Sequence, residues 1–205
     1  MYQMDAKEYN ENVMKGLFRK VYPFIADQIL ERTNVSRGHC IDLGGGPGML
    51  GISMAEITDL NVVVYDLLPE CVEEAFRNIE ERNLGSRVSA RQGKAENIDF
   101  PDNSIDLVIS RGSIFFWEDQ KKGLSEVFRV LKPGGWAYIG GGMGSIDLLL
   151  EIQIERAKNP RQSENRDKLR IPNPPGHFEA ILEELHITGF TVENSMAGTW
   201  IIFRK

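Results

Sequence analysis

The spacing of apolar residues changes along this chain. Over residues 5–32, Val13, Leu17, Val21, Ile25 and Ile29 recur at about four-residue intervals, and Met14, Phe18, Phe24 and Leu30 widen the stripe, which predicts helix. Pro23 breaks the pattern and fits as the first residue of a second helix, so two helices with a bend at that residue are expected. Beyond this, short unbroken apolar runs alternate with helical stretches. "HCIDLGG" (39–45) and "NVVVYDLLP" (61–69) read as buried strands, "RVSARQG" (87–93) and "IDLVISRG" (105–112) as a third and fourth, and "WAYIGGG" (136–142) as a fifth. The helices between them are "MLGISMAEIT" (49–58), "PECVEEAFRNIEERNL" (69–84), opened by Pro69 and followed by Gly85, and "QKKGLSEVFRVLKPGG" (120–135), stopped by Pro133 and two glycines. Residues 144–176 leave this rhythm. "HFEAILEELHITG" (177–189) then reads as helix, and "FTVENSMAG" and "TWIIFRK" as two last strands whose short link makes them antiparallel. Strand–helix alternation of this kind predicts an α/β fold, a mostly parallel sheet with helices on both faces.

A chain of 205 residues suits one domain, and 41% hydrophobic with 26% charged residues is an ordinary globular balance. A net charge of −6 gives no general attraction to nucleic acid or an anionic membrane. No apolar run approaches a membrane span, and the first residues lack a basic-then-apolar leader, so a cytoplasmic location is expected. Cys40 and Cys71 stand apart from any C-x-x-C pair, and His39, His177 and His186 are not spaced as ligands, so no metal is expected.

The chemistry gathers in "CIDLGGGPGMLG", residues 40–51. Gly44, Gly46 and Gly48 spell G-x-G-x-G, while Gly46, Gly48 and Gly51 spell the dinucleotide pattern G-x-G-x-x-G. A glycine loop after the first strand of an open sheet lets backbone N–H groups approach a ligand, and an acid ending the second strand, Asp66, suits ribose hydroxyls. Both readings use adenosine. Asp42 separates them: a carboxylate beside the loop repels a pyrophosphate and attracts an ammonium or sulfonium. Gly51 then becomes the small residue that lets the first helix of the core approach the sheet.

These motifs resemble those of the class I S-adenosylmethionine-dependent methyltransferases. "CIDLGGGPGMLG" is similar to their motif I, "VVVYDLLP" to their acidic second-strand end, "QGKAENIDFPDNSIDLVISRGSIFFW" to the segment before and through strand four, and "EVFRVLKPGGWAYIG" to their L-K-P-G-G motif. "SRGSIFFWED" resembles small methyltransferases of anaerobic microbes. The resemblance covers about residues 35–142. It implies a Rossmann-like seven-stranded sheet, mostly parallel with an antiparallel last strand, in a single domain. Residues 5–32 would be a helical lid, 35–142 the cofactor core, 144–176 a substrate-side insertion and 177–205 the C-terminal helix and hairpin. It implies methyl transfer from S-adenosylmethionine to a small-molecule acceptor, leaving S-adenosylhomocysteine, by a monomer or homodimer without nucleic acid or membrane. A cofactor-binding protein without transfer activity and an NAD-dependent oxidoreductase are the alternatives.

On that resemblance Gly44, Gly45, Gly46 and Gly48 line the methionine end, Asp42 takes the ammonium, Asp66 the ribose hydroxyls, and Leu67 packs on adenine. Lys94, Ala95 and Glu96 would border the adenine edge. Lys94 stands where the family has Asp and cannot accept a hydrogen bond, so the Ala95 N–H and Glu96 would serve instead. Gly112 and Arg111 end strand four; Arg111 would reach the cofactor carboxylate or brace Asp42 or Glu118. Tyr22, Phe116, Trp117, Glu118 and His177 are candidates for the acceptor side, with Trp117 able to face a sulfonium. Among Tyr22, Glu118, Asp119 and His177 no general base is diagnostic, and catalytic residues stay unassigned. Leu148, Leu149, Ile152 and Ile154 would form an apolar wall, and Arg156, Lys158, Arg161, Arg166, Lys168 and Arg170 a basic patch that attracts an anionic substrate.

Overall fold

The computed structural model describes residues 6–158 and 173–205. Seven strands form one sheet: β1 (Arg37–Leu43), β2 (Asp59–Asp66), β3 (Val88–Gln92), β4 (Ile105–Arg111), β5 (Leu131–Gly142), β6 (Thr191–Ser195) and β7 (Gly198–Arg204). Their order is β3-β2-β1-β4-β5-β7-β6. The first five run parallel; β7 pairs antiparallel with both β5 and β6. The chain thus starts in the middle of the sheet and winds outward both ways, and the crevice where the order reverses, between β1 and β4, is where such sheets bind ligands.

Helices α1 (Ala6–Tyr9), α2 (Val21–Thr33), α3 (Met49–Ile57), α4 (Pro69–Glu81), α5 (Gln120–Val130), α6 (Ile146–Lys158) and α7 (His177–Glu184) complete the described elements, with a π-helical stretch at Asn10–Leu17 and a 3₁₀ turn at Ile114–Phe116. Pro69 starts α4, where a missing N–H costs nothing. Asp119 caps α5 by accepting from Lys122 N at 2.8 Å. The two faces bury separate cores. Cys40, Val62, Val64, Leu107 and Ile109 pack beneath the N-terminal helices, α3 and α4, while Ile41, Leu43, Val108 and Ile139 pack beneath α5 and α7. This is the period-2 alternation of strands buried on both sides.

The expected elements differ at two places. The N-terminal break falls at residues 18–20 and α2 begins at Val21, so Pro23 lies inside the first turn rather than opening it. The first turn needs no N–H from any of its residues, and Pro23 is therefore tolerated there without setting the boundary. Helix α5 ends at Val130, before Pro133, and the proline lies within β5 where the β4 register shifts between Ile105 and Leu107. A proline at a bulge forfeits no ladder hydrogen bond. The side chain of Val13 and residues 159–172 lie outside the described residues.

Candidate active site

Three strand ends present polar side chains on one face of the sheet. Cys40, Val64 and Ile109 point into the core under α2 and α3, so Asp42, Asp66 and Arg111, two residues on in their strands, emerge on that same face.

Asp42 is buried. One carboxylate oxygen accepts from Gly51 N at 2.8 Å, at the start of α3, and the other has no partner among the described residues. Burial pushes this carboxyl up to about 7; the Gly51 N–H opposes the shift and the charge of Asp66 adds to it. A Cβ on Gly51 would stand 3.0 Å from Val62 and 3.1 Å from Asp42, so the glycine lets α3 seat against the strands, as its place in the motif predicts. Asp66 accepts from Gly46 N at 2.7 Å and from Leu68 N at 3.0 Å. Burial raises its pKa also, against these backbone donors, which favour the charged form. Each oxygen keeps acceptor capacity beyond these bonds. The loop is pinned behind by Gly44 N and Gly45 N, which donate to Tyr65 O at 2.7 and 3.4 Å, and by Gly48 N donating to Gly45 O. Gly46 has φ +56° and nothing within 4 Å of where a Cβ would stand. It is a left-handed backbone position facing open space.

Leu67, beside Asp66, is 55% exposed, an apolar surface without a protein neighbour to cover it. Ala95 is buried in the second core, below this edge. Glu96 accepts from Asp119 N at 3.2 Å and Lys94 pairs with Glu118 at 2.5 Å. The Gly93–Glu96 segment is thus strapped to the start of α5.

Other expectations are corrected. Arg111 braces neither Asp42 nor Glu118. Its Nε donates to Gly142 O at 2.9 Å and Nη1 to the Tyr22 hydroxyl at 3.3 Å, and its guanidinium lies 4.7 Å from the Phe18 ring centre and 5.0 Å from that of Tyr22. The N-terminal segment delivers these rings, and a planar cation stacks on them. Trp117 is buried, with its Nε1 donating to Ser113 Oγ at 3.1 Å and its ring against Gly123. It is core, not a surface for a sulfonium. Phe115 is buried edge-on to Phe178, leaving Phe116 as the exposed ring of "IFFW". Within α6, Ile152 is buried but Ile154 is 63% exposed, because a helix of 3.6-residue period cannot bury both, so Ile154 is no part of an inner wall. Lys158 pairs with Glu155; Arg161, Arg166, Lys168 and Arg170 lie outside the described residues. His177 Nε2 meets Gln120 Oε1 at 2.6 Å, while Gln120 Nε2 donates to Ile114 O. That bond turns the amide oxygen toward the imidazole, so Nε2 donates to it.

A methyltransferase-domain family model matches residues 41–139. A solved protein of Methanococcus maripaludis, provisionally named an S-adenosylmethionine-dependent methyltransferase, is 36% identical, covers 100% of this chain and 97% of its own, and superposes with a TM-score of 0.87. The chain belongs to the class I S-adenosylmethionine-dependent methyltransferase family. Among curated relatives, a 2-methyl-6-phytyl-1,4-hydroquinone methyltransferase of Oryza sativa is 34% identical over 102 residues, 49% of this chain and 28% of that protein. A demethylmenaquinone methyltransferase of Chlorobaculum parvum is 37% identical over 99 residues, 48% of this chain and 39% of its own. The chain therefore matches well under half the length of these curated relatives.

The site of this methyltransferase-family chain holds residues that its motifs do not flag. Ser113 Oγ donates to Leu43 O at 3.0 Å and supports the loop from behind. Asn10, fully buried, bonds Glu74 and Asn78, and Asn78 Nδ2 donates to Pro47 O at 2.8 Å. This joins the π-helical stretch to the glycine loop. The only sequence signal for it is an asparagine inside an amphipathic segment.

Proposed function

We propose that this chain transfers a methyl group from S-adenosylmethionine to a small-molecule acceptor. The observation that carries the reading is the pair of buried carboxylates flanking an open glycine loop, one of them with an oxygen lacking a partner. A pyrophosphate would be repelled there; an ammonium would satisfy the orphaned Asp42 oxygen. The cofactor fits the residues present. Asp42 takes the ammonium, Gly44, Gly45, Gly46 and Gly48 line the methionine portion, Asp66 accepts from the ribose hydroxyls, Leu67 covers adenine, and Ala95 N–H donates at the adenine edge, with Gly112 on the β4 side. When bound, S-adenosylmethionine supplies a sulfonium-activated methyl for in-line displacement. The protein's part is alignment and water exclusion, and none of Tyr22, Glu118, Asp119 and His177 is assigned as a base. The hydroquinone and demethylmenaquinone acceptors in the relatives' names support a small molecule as acceptor. A cytoplasmic location is part of the same reading, supported by two buried free thiols, Cys40 and Cys71. No described helix is long and apolar enough to cross a membrane, and no described cluster could hold a metal.

Calorimetric titration with S-adenosylmethionine, S-adenosylhomocysteine and NADH tests this. The two adenosyl compounds are expected to bind and NADH not to; binding of NADH alone overturns the proposal.

A further inference from the structure

At the end of β4 the charge reverses. Arg111 at the end of β4 and Arg156 on α6 both lie over Phe18, at 4.7 and 5.5 Å from its ring centre. Phe18 itself is buried, so the ring is a fixed post. Neither arginine has a carboxylate partner among the described residues, where most other lysines and arginines are ion-paired. The acids nearest Arg156 along α6 are engaged elsewhere, Glu151 with Lys20 at 3.0 Å and Glu155 with Lys158 at 2.9 Å. Arg111 spends donors on Gly142 O, the Tyr22 hydroxyl and Met143 Sδ, which leaves two of its five N–H groups. Arg156 makes no hydrogen bond among the described residues.

Two guanidiniums held on one aromatic post, with no carboxylate partner among the described residues, are suited to a planar anion, which they bind through paired N–H donors. We propose that Arg111 and Arg156 form the anion-binding end of the acceptor site, and that the acceptor carries a carboxylate. This rests on the methyltransferase reading. It explains why three elements remote in sequence, the N-terminal segment, the end of β4 and α6, meet at this point. A carboxylate could also come from the methionine portion of the cofactor, and the test separates the two sources.

Protein saturated with S-adenosylhomocysteine is titrated with acetate, benzoate and succinate, each against its amide, and with inorganic phosphate. At least one carboxylate is expected to bind about tenfold or more tightly than its amide and more tightly than phosphate. Arg156→Gln and Arg111→Gln are each expected to weaken it by about tenfold, and in Arg156→Gln the affinity for S-adenosylhomocysteine stays within about threefold. Arg156 is exposed, so its variant keeps the fold, which a melting curve verifies. The inference is overturned if carboxylates and amides bind alike or not at all, or if phosphate binds best. It is equally overturned if the variants weaken S-adenosylhomocysteine but not its decarboxylated analogue, since the carboxylate held is then the cofactor's. Wild-type protein that fails to bind S-adenosylhomocysteine at the outset defeats the methyltransferase reading itself, before any carboxylate is added.

Discussion

At the ends of β1 and β2 the ligand face presents Asp42 and Asp66, each bonded to backbone of the loop or helix next to it. At the end of β4 the same face presents Arg111, held by Phe18, Tyr22 and Gly142. The acidic half is built from two consecutive strand ends and the loop between them, residues 42–66, so its geometry follows from two short motifs. The basic half is assembled from residues separated by most of the chain, so it exists only once the fold has formed. A cationic donor at one half and an anionic acceptor at the other would also attract each other across the site, which favours the encounter of nucleophile and methyl.

The largest expected effect tests whether the acidic half is a cradle. Gly46→Leu puts a side chain into the open space beside the loop. A left-handed leucine costs about 1–2 kcal/mol of stability, a modest fall in melting temperature, whereas S-adenosylhomocysteine binding should vanish from a calorimetric titration. Binding within tenfold of wild type would mean that the cofactor lies elsewhere.

Asp66→Ala comes next. It removes acceptors for the ribose and frees the Gly46 and Leu68 N–H groups. The expected loss is about 1–3 kcal/mol, or roughly 5- to 150-fold in affinity for S-adenosylhomocysteine. Asp66→Asn, which keeps one carbonyl acceptor, should recover part of it. Unchanged affinity in the alanine variant would remove the ribose assignment.

This difference in construction explains what the sequence discloses. The order of strands, the loop and both acids follow from period and from residues within two short motifs, because a glycine loop and a strand-end acid are local devices. Trp117 shows where that stops. A row of three aromatics reads as a mouth, but the hydrogen bond to Ser113 and the gap left by Gly123 turn the indole inward. Arg111 shows it again: an arginine at a strand end seeks a partner, and nothing near it in sequence says that the partner is Phe18. Polar residues that lock the N-terminal segment to the loop, Asn10 and Asn78, are equally silent, since an asparagine in a helical stretch usually faces solvent.

The acidic half should also respond to pH. In the ligand-free protein Asp42 has a pKa raised to about 7, above the unfolded value, so the folded state binds more protons between about 4 and 7. This group therefore favours the fold at the acidic end of that window and loses that contribution as pH rises through 7. An ammonium partner reverses the preference by favouring the carboxylate. Affinity for S-adenosylhomocysteine should fall as pH drops below 7, by at most about tenfold per unit, with protons released on binding. Asp42→Asn should flatten the profile. A flat wild-type profile between pH 5.5 and 8 would detach Asp42 from the ammonium.

The smallest effect sits at the border between the two halves. Lys94 occupies a position where the motif resemblance implies an acid, and it reaches Glu118 just before α5 rather than inward. The pair is exposed, and the Glu118 carboxylate raises the lysine pKa, an interaction that salt screens. If adenine is held by Leu67 and the Ala95 backbone, Lys94→Ala should change affinity for S-adenosylhomocysteine by less than about threefold, with the difference vanishing at high salt. A larger loss that persists in salt would show the lysine in contact with the ligand. Lys94→Asp then sharpens the same question. It restores the family's acid opposite Glu118 and Glu96, so a gain in affinity despite that repulsion would mean that the adenine amine lacks an acceptor in the native chain.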